Sequence, residues 1–236
     1  MSNPFFQFKQ FRIRHDRCAM KVGTDGVLLG AAAPVVGAKS VLDVGTGTGL
    51  IALMLAQREP QARICGVELD KEAAAQATEN VADSPWADRV EICCQDFRQF
   101  QGPNTYDLIV SNPPFFVNSL LAPKAERAAA RHTASLPYED LLAGVVQHLS
   151  PEGSFSLILP SEVQAEFVCL AQEQGLHLYQ QIWVQTTPKA APKRVLMNFS
   201  FRADRPLEEE YLVIELERHS YSKDYIALTR EFYLKM

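Results

Sequence analysis

This chain predicts a doubly wound α/β fold, and three observations carry the prediction. Short apolar runs alternate with helix-length segments along most of its 236 residues, the pattern of parallel strands joined by crossover helices. A glycine-rich turn, Gly45-Thr46-Gly47-Thr48-Gly49, separates the first such run from the helix after it. The next run carries an acid near its end, Glu68, where doubly wound sheets place a carboxylate on ribose hydroxyls.

Taken in order, residues 6–14 alternate with period two and predict a short strand or hairpin at the core edge. Residues 25–34 predict an apolar helix, with a cap at Thr24 or Asp25. Strand one is expected at 40–45, with its helix at 50–58 closing before Pro60. Strand two covers 63–69, and Asp70 can cap a helix over 71–82. Strands three and four fall at 89–94 and 106–111, followed by a helix at 138–149. Strand five, 154–159, ends at Pro160, and a helix over 162–174 stops at Gly175. Residues 176–185 and 194–201 make a terminal strand pair, and 211–216 with 224–234 an appendage beyond the sheet. No repeat or linker divides the chain. One domain is therefore expected, with an extension (1–39), a core (40–203) and an appendage (204–236).

Composition is that of a globular protein: 47% apolar and 22% charged residues suffice for a substantial core. No run reaches the ~18 apolar residues of a membrane span, and the start lacks a signal-peptide plan. A cytoplasmic protein without a membrane partner is expected. The five cysteines are odd in number and show no C-x-x-C, so free thiols are expected rather than disulfides or a metal site. Net charge is −5, yet the basic residues cluster. Lys9, Arg12, Arg14, Arg17 and Lys21 form one group, Lys189, Lys193, Arg194, Arg202 and Arg205 a second, and Lys124, Arg127 and Arg131 a third. Each alone reads as a solvated face. Meeting around one mouth, they would make a phosphate-binding rim.

Two motifs carry chemistry. Asn112-Pro113-Pro114-Phe115 follows directly on the strand at 106–111. Two prolines in sequence can neither continue a ladder nor enter a helix interior, so they make a rigid loop at the strand's end. That loop offers an amide oxygen, a carbonyl with no N–H beside it, and an aromatic ring. Such a set suits a planar group bearing an –NH2, whether a purine amine or a primary amide. The second motif is the glycine turn, whose glycines allow positive φ and let a ligand lie against bare backbone. The helix beyond it offers free N–H groups. The turn departs from a nicotinamide fingerprint, because Leu50 holds the place of its third glycine, and no P-loop lysine follows. Asp43, two residues before the first glycine, is awkward for a pyrophosphate but suits a cationic amine or sulfonium, or else simply orders the turn.

With these motifs the chain resembles the class I S-adenosylmethionine-dependent methyltransferases, in the amino-group branch marked by [ND]-P-P-[YF]. Residues 8–11, 20–30 and 221–229 resemble the bacterial tRNA1(Val) adenine-37 N6-methyltransferases. The resemblance implies a seven-stranded Rossmann-like sheet with a short N-terminal hairpin and helix and a C-terminal strand and helix appendage. It implies S-adenosylmethionine as cofactor, the anticodon loop of a tRNA as partner, and a monomer without metal. Carried over residue by residue, Asn112, Pro113, Pro114 and Phe115 are the catalytic loop. Lys21, Thr24, Asp43, Gly45, Thr46, Gly47, Gly49, Glu68, Leu69, Asp96, Phe97 and Asn112 surround the cofactor. Within that set, Lys21, Thr24 and the neighbouring Asp25 would lie over its methionine part, and Asp96 and Phe97 would take the adenine amine and ring. Lys9, Arg12, Arg14, Lys193 and Arg194 are expected to touch RNA. Asp25 and Asp96 also read as plain helix caps, and His132 as a surface histidine. The competing reading is a protein glutamine N5-methyltransferase acting on a release-factor-like substrate.

Overall fold

The computed structural model describes residues 3–18, 20–102, 105–114 and 136–235. A short antiparallel hairpin, β1 (Phe5–Gln7) and β2 (Arg12–Arg14), precedes helix α1 (Thr24–Ala32). The α/β alternation then runs β3 (Ser40–Val44), α2 (Leu50–Arg58), β4 (Arg63–Glu68), α3 (Lys71–Ala82), β5 (Val90–Cys94) and β6 (Tyr106–Ser111). After it come α4 (Tyr138–His148), β7 (Leu149–Pro160), α5 (Gln164–Glu173), β8 (His177–Gln185) and β9 (Arg194–Ser200). The chain finishes with β10 (Glu208–Val213), β11 (Glu215–Glu217), β12 (Ser220–Tyr221) and α6 (Lys223–Thr229).

Strands β3 to β10 make one sheet in the order β10-β8-β9-β7-β6-β3-β4-β5. All neighbours pair in parallel except β9, which runs antiparallel to β7 and β8. The seven expected core strands are present, and an eighth joins them. Residues 208–213, expected in an appendage, pair in parallel with β8 as an edge strand. Gln180 Nε2 donates to Glu210 Oε1 at 3.2 Å, and Gln181 donates to Glu209, so side chains reinforce that ladder.

Alternate residues of each strand face opposite sides, which splits the core in two. Val41, Ile64 and Leu108 pack with α1, α2 and the hairpin aromatics Phe8 and Phe11. Leu42, Val44, Val67 and Ile109 pack with Leu141, Leu142 and Phe167 of α4 and α5. The result is a three-layer α/β/α arrangement. Helices α2 and α3 have the expected bounds, and Asp70 caps α3 by accepting from the Ala73 N–H at 2.8 Å. Helix α1 is capped differently: Gly23 holds the cap position without a side-chain bond. Neither Thr24 nor Asp25 serves, because the Asp25 carboxylate is engaged with Arg194.

The chain climbs β3, β4 and β5 in one direction and returns to place β6 on the other side of β3. Ligands of open α/β sheets bind beyond the carboxyl ends of the strands at such a reversal. The glycine turn leaves β3 and the Asn112 loop leaves β6 at this point. Val44 and Ser111 are register partners, and Ser111 Oγ donates to the Val44 carbonyl at 2.9 Å. Gly45 and Asn112 therefore start side by side, roughly one strand spacing (about 4.8 Å) apart.

Candidate active site

The turn after β3 is shaped by three left-handed residues, Gly45 (φ 72°), Gly47 (φ 57°) and Gly49 (φ 79°). Gly49 is the cap of α2, so the helix's free N–H groups open into the turn. Gly45 and Thr46 donate backbone N–H bonds to the Val67 carbonyl at 2.9 and 3.1 Å, tying the turn to β4. Glu68 clamps it further, its Oε2 accepting from Gly47 N–H and its Oε1 from Asp70 N–H, both at 2.9 Å.

Two adjoining cavities flank this turn. One, of about 250 Å³, is lined by Val67, Glu68, Leu69, Asp96, Phe97 and Pro114 among others. The second, of about 450 Å³, is lined by Lys21, Thr24, Asp25, Gly26, Thr46 and Leu50 among others. Cys18, Met20, Gly45, Gly47 and Asn112 belong to both walls. The pair matches the span of a small-molecule site, typically about 300–1,000 Å³. A larger cavity, about 880 Å³, lies against edge strand β5 and the amino ends of β3 and β4, away from both motifs.

Asn112 stands where the cavities meet. Its Oδ1 is buried and has no hydrogen-bond partner among the described residues. An unpaired buried acceptor costs about 1–3 kcal/mol, and a donor bound at this junction would satisfy it. Pro113 is buried and Pro114 exposed. Phe115 and the third basic group, Lys124, Arg127 and Arg131, together with His132, lie outside the described residues.

Asp43 does not reach the cavity wall. It is fully buried, accepts from Thr46 Oγ1 at 2.6 Å and from Ala52 N–H at 3.2 Å, and so orders the turn. Burial pushes its carboxyl up to about 7, against the lowering effect of those two bonds. Asp96 caps the short 3-10 turn at Phe97–Gln99 and is gripped by Arg98, whose Nη2 donates to it at 2.6 Å. The guanidinium holds that carboxyl below the usual carboxylate range. Phe97 is buried under the cavity, stacked towards Phe100 and tilted against His148.

The two basic groups within the described residues are divided among separate partners. Arg14 pairs with Asp83 at 3.1 Å and Arg17 pairs with Glu79, both on the α3 side. Lys9 donates to the Arg230 carbonyl at 2.5 Å, and Arg12 lies 4.5 Å over the Phe5 ring. Arg194 Nε donates to Asp25 Oδ2 at 2.8 Å, beside the larger of the two cavities, and exposed Lys193 precedes it. Arg202 and Arg205 follow the other end of antiparallel β9, a full strand length away, where Arg202 pairs with Asp204.

The fold also uses residues that sequence reasoning passed over. Cys18 and Met20 wall both cavities. A Cβ on Gly66 would sit 2.9 Å from the Thr46 side chain, so this strand glycine makes room for the turn. A Cβ on Gly144 of α4 would come within 2.4 Å of the Phe97 ring. A glycine inside a strand or helix is itself a signal of close approach.

Comparison with known proteins agrees with this architecture. Residues 22–178 match the family model of the methyltransferase small domain. The chain is 54% identical to the tRNA1(Val) (adenine(37)-N6)-methyltransferase of Bacteroides thetaiotaomicron, over the whole of both chains. It is 48% identical to that of Tolumonas auensis, covering 100% of this chain and 99% of the other. Among solved structures, a predicted O-methyltransferase from Agrobacterium tumefaciens superposes with a TM-score of 0.69 at 18% identity, covering 88% of this chain and 96% of that one. A putative RNA methyltransferase from Pyrococcus horikoshii superposes at 0.51 and 21% identity, covering 74% and 80%. These two likenesses establish the fold, whereas the full-length identities go further: the chain belongs to the methyltransferase small-domain family, in the branch that holds the tRNA1(Val) (adenine(37)-N6)-methyltransferases.

Proposed function

We propose that this protein transfers a methyl group from S-adenosylmethionine to the exocyclic N6 of an adenine in tRNA, A37 of tRNA1(Val). The observation that carries the reading is the buried Oδ1 of Asn112, unpartnered among the described residues, where the two cavities join.

The residues present fit the cofactor. Glu68 has lone pairs left to accept from ribose hydroxyls, and Asp96 with Phe97 offers an acceptor and a ring for the adenine. Lys21 and the Arg194-paired Asp25 border the second cavity, where the amino-acid end of the cofactor would lie. The glycine turn between them leaves bare backbone for close approach. When bound, S-adenosylmethionine supplies a methyl group already activated on a positive sulfur.

An adenine amine is a poor nucleophile because its lone pair is delocalised into the ring. Asn112 Oδ1 and the Pro113 carbonyl accept its two N–H bonds and favour a pyramidal nitrogen with its lone pair free. Both acceptors sit on a loop stiffened by two fixed φ angles, so little reorganisation accompanies the step. Alignment of this kind can supply about 7–11 kcal/mol of the barrier. The methylated cation then releases its proton to water, and no general base is required of the protein. A base in an anticodon loop is the least costly to splay out into such a site.

The glutamine N5-methyltransferase reading is disfavoured. The full-length relatives at 54% and 48% identity are named as tRNA adenine-N6-methyltransferases rather than protein methyltransferases. The test is methylation of tRNA1(Val) by the purified chain, followed by nucleoside mass spectrometry. N6-methyladenosine at position 37 is the expected product. An unmodified tRNA, with a methylated glutamine in a release factor, would overturn the reading.

A further inference from the structure

A fourth cavity, of about 640 Å³, lies where the N-terminal hairpin meets the C-terminal segment. Its walls are aromatic: Phe5 and Phe6 come from the N-terminal hairpin, and Tyr221, Tyr225 and Tyr233 from the C-terminal segment. The rings support one another, Phe6 edge-on to Tyr233 at 5.9 Å and Tyr221 against Tyr225 at 5.3 Å. Tyr221 nevertheless keeps 41% of its surface exposed, so the cleft presents an open ring face.

Cations border it. The Arg12 guanidinium lies 4.5 Å over the Phe5 ring, and its Nε is steered by Gln7 Oε1 at 2.8 Å. Lys235 is on the wall, and Lys9, two residues beyond β1, donates to the Arg230 carbonyl. Asn3, Gln7 and Glu215 add hydrogen-bonding groups.

The cleft adjoins the methyl-transfer site. Thr24 lines both this cavity and the one beside Lys21 and Asp25. Two residues further along α1, a Cβ on Gly26 would stand 4.0 Å from the Asn112 amide.

We propose that this cleft stacks an unpaired nucleobase of the RNA next to the base being methylated. The inference rests on the function proposed above. The partly exposed Tyr221 ring, with guanidinium and ammonium groups nearby, matches a base on a phosphate strand, which offers a π face and negative charge together. A purely apolar partner would make no use of the positive charge that Arg12, Lys9 and Lys235 bring to this end of the molecule.

The experiment uses tRNA1(Val) carrying 2-aminopurine at either neighbour of the target adenine, whose fluorescence is quenched by stacking. Wild type is expected to change the emission at one flank on binding. Tyr221→Ala, and independently Phe5→Ala, should abolish that change and raise KM for tRNA on the order of tenfold, with cofactor affinity intact as proof of folding. Tyr221→Phe should restore the signal, since it restores the ring. Unchanged KM and unchanged emission in both alanine variants would overturn the cleft while leaving the methylation reading standing. Loss of a wild-type dimer in those variants, without an effect on RNA, would give the cleft to a second copy and overturn the proposal. A wild-type protein that methylates no tRNA removes the proposed function, and the cleft's role with it.

Discussion

Glu68 at the end of β4 accepts the backbone N–H of Gly47 at 2.9 Å, so one carboxylate both shapes the glycine turn and faces the cavity beside it. Its second oxygen holds the N–H of Asp70, the cap of α3.

Replacing Glu68 with alanine should therefore weaken cofactor binding twice over, by losing ribose acceptors and by loosening the turn. Hydrogen bonds to charged groups are worth about 1.5–3 kcal/mol each. Calorimetry should show S-adenosylmethionine bound roughly 10- to 100-fold more weakly. An unaltered affinity would exclude Glu68 from that wall.

Gly144→Ala tests the support beneath Phe97. A new Cβ 2.4 Å from a buried ring forces Phe97 upward into the cavity. Overpacking of this kind costs about 1–3 kcal/mol, partly offset by the ~1 kcal/mol that alanine contributes in a helix. Thermal unfolding should fall by a few degrees, and cofactor affinity should fall with it. A fully stable variant with normal affinity would show that the ring has room to move.

Asp43 makes stability depend on pH. Its folded pKa, about 7, lies above the ordinary 3.8, so the folded state holds the proton more tightly than the unfolded chain. The contribution is fully present below about pH 4 and is lost as pH rises through about 7. Asp43→Asn cannot titrate. The urea midpoint of wild type relative to this variant should decline between pH 4 and 8. A constant difference would contradict the assignment.

The basic residues should divide by their partners. Lys193 is exposed at the site end of β9, and its replacement by alanine should reduce the salt dependence of tRNA binding by about one unit of log–log slope. Arg14 is committed to Asp83, and Arg14→Ala should leave that slope unchanged. Equal effects would mean that RNA wraps onto the α3 side.

Much of this was legible in the chain because strong local signals agreed with the fold. Asp70 capped α3 where a cap was expected, and Pro160 closed β7. Strand β7 starts earlier than its apolar run, at Leu149, because a register shift against β6 between Tyr106 and Leu108 absorbs residues 150–153. Strand β10 was hidden for another reason: Glu208, Glu209 and Glu210 read as solvated charge, yet at a sheet edge they are exposed and bonded to glutamines of β8. The partners of Arg14, Arg17 and Arg194 come from residues 60 to 170 positions away in sequence, and no local pattern announces such pairs.

The central claim is that the lone acceptor on Asn112 orients the target amine rather than the cofactor. Single-turnover methylation of tRNA1(Val) by Asn112→Ala, with S-adenosylmethionine affinity measured alongside, addresses it most directly. The account predicts a rate lowered about 10²- to 10³-fold, as when one preorganised hydrogen bond is removed from a reacting centre, with cofactor binding retained. A variant that methylates at the wild-type rate would contradict it.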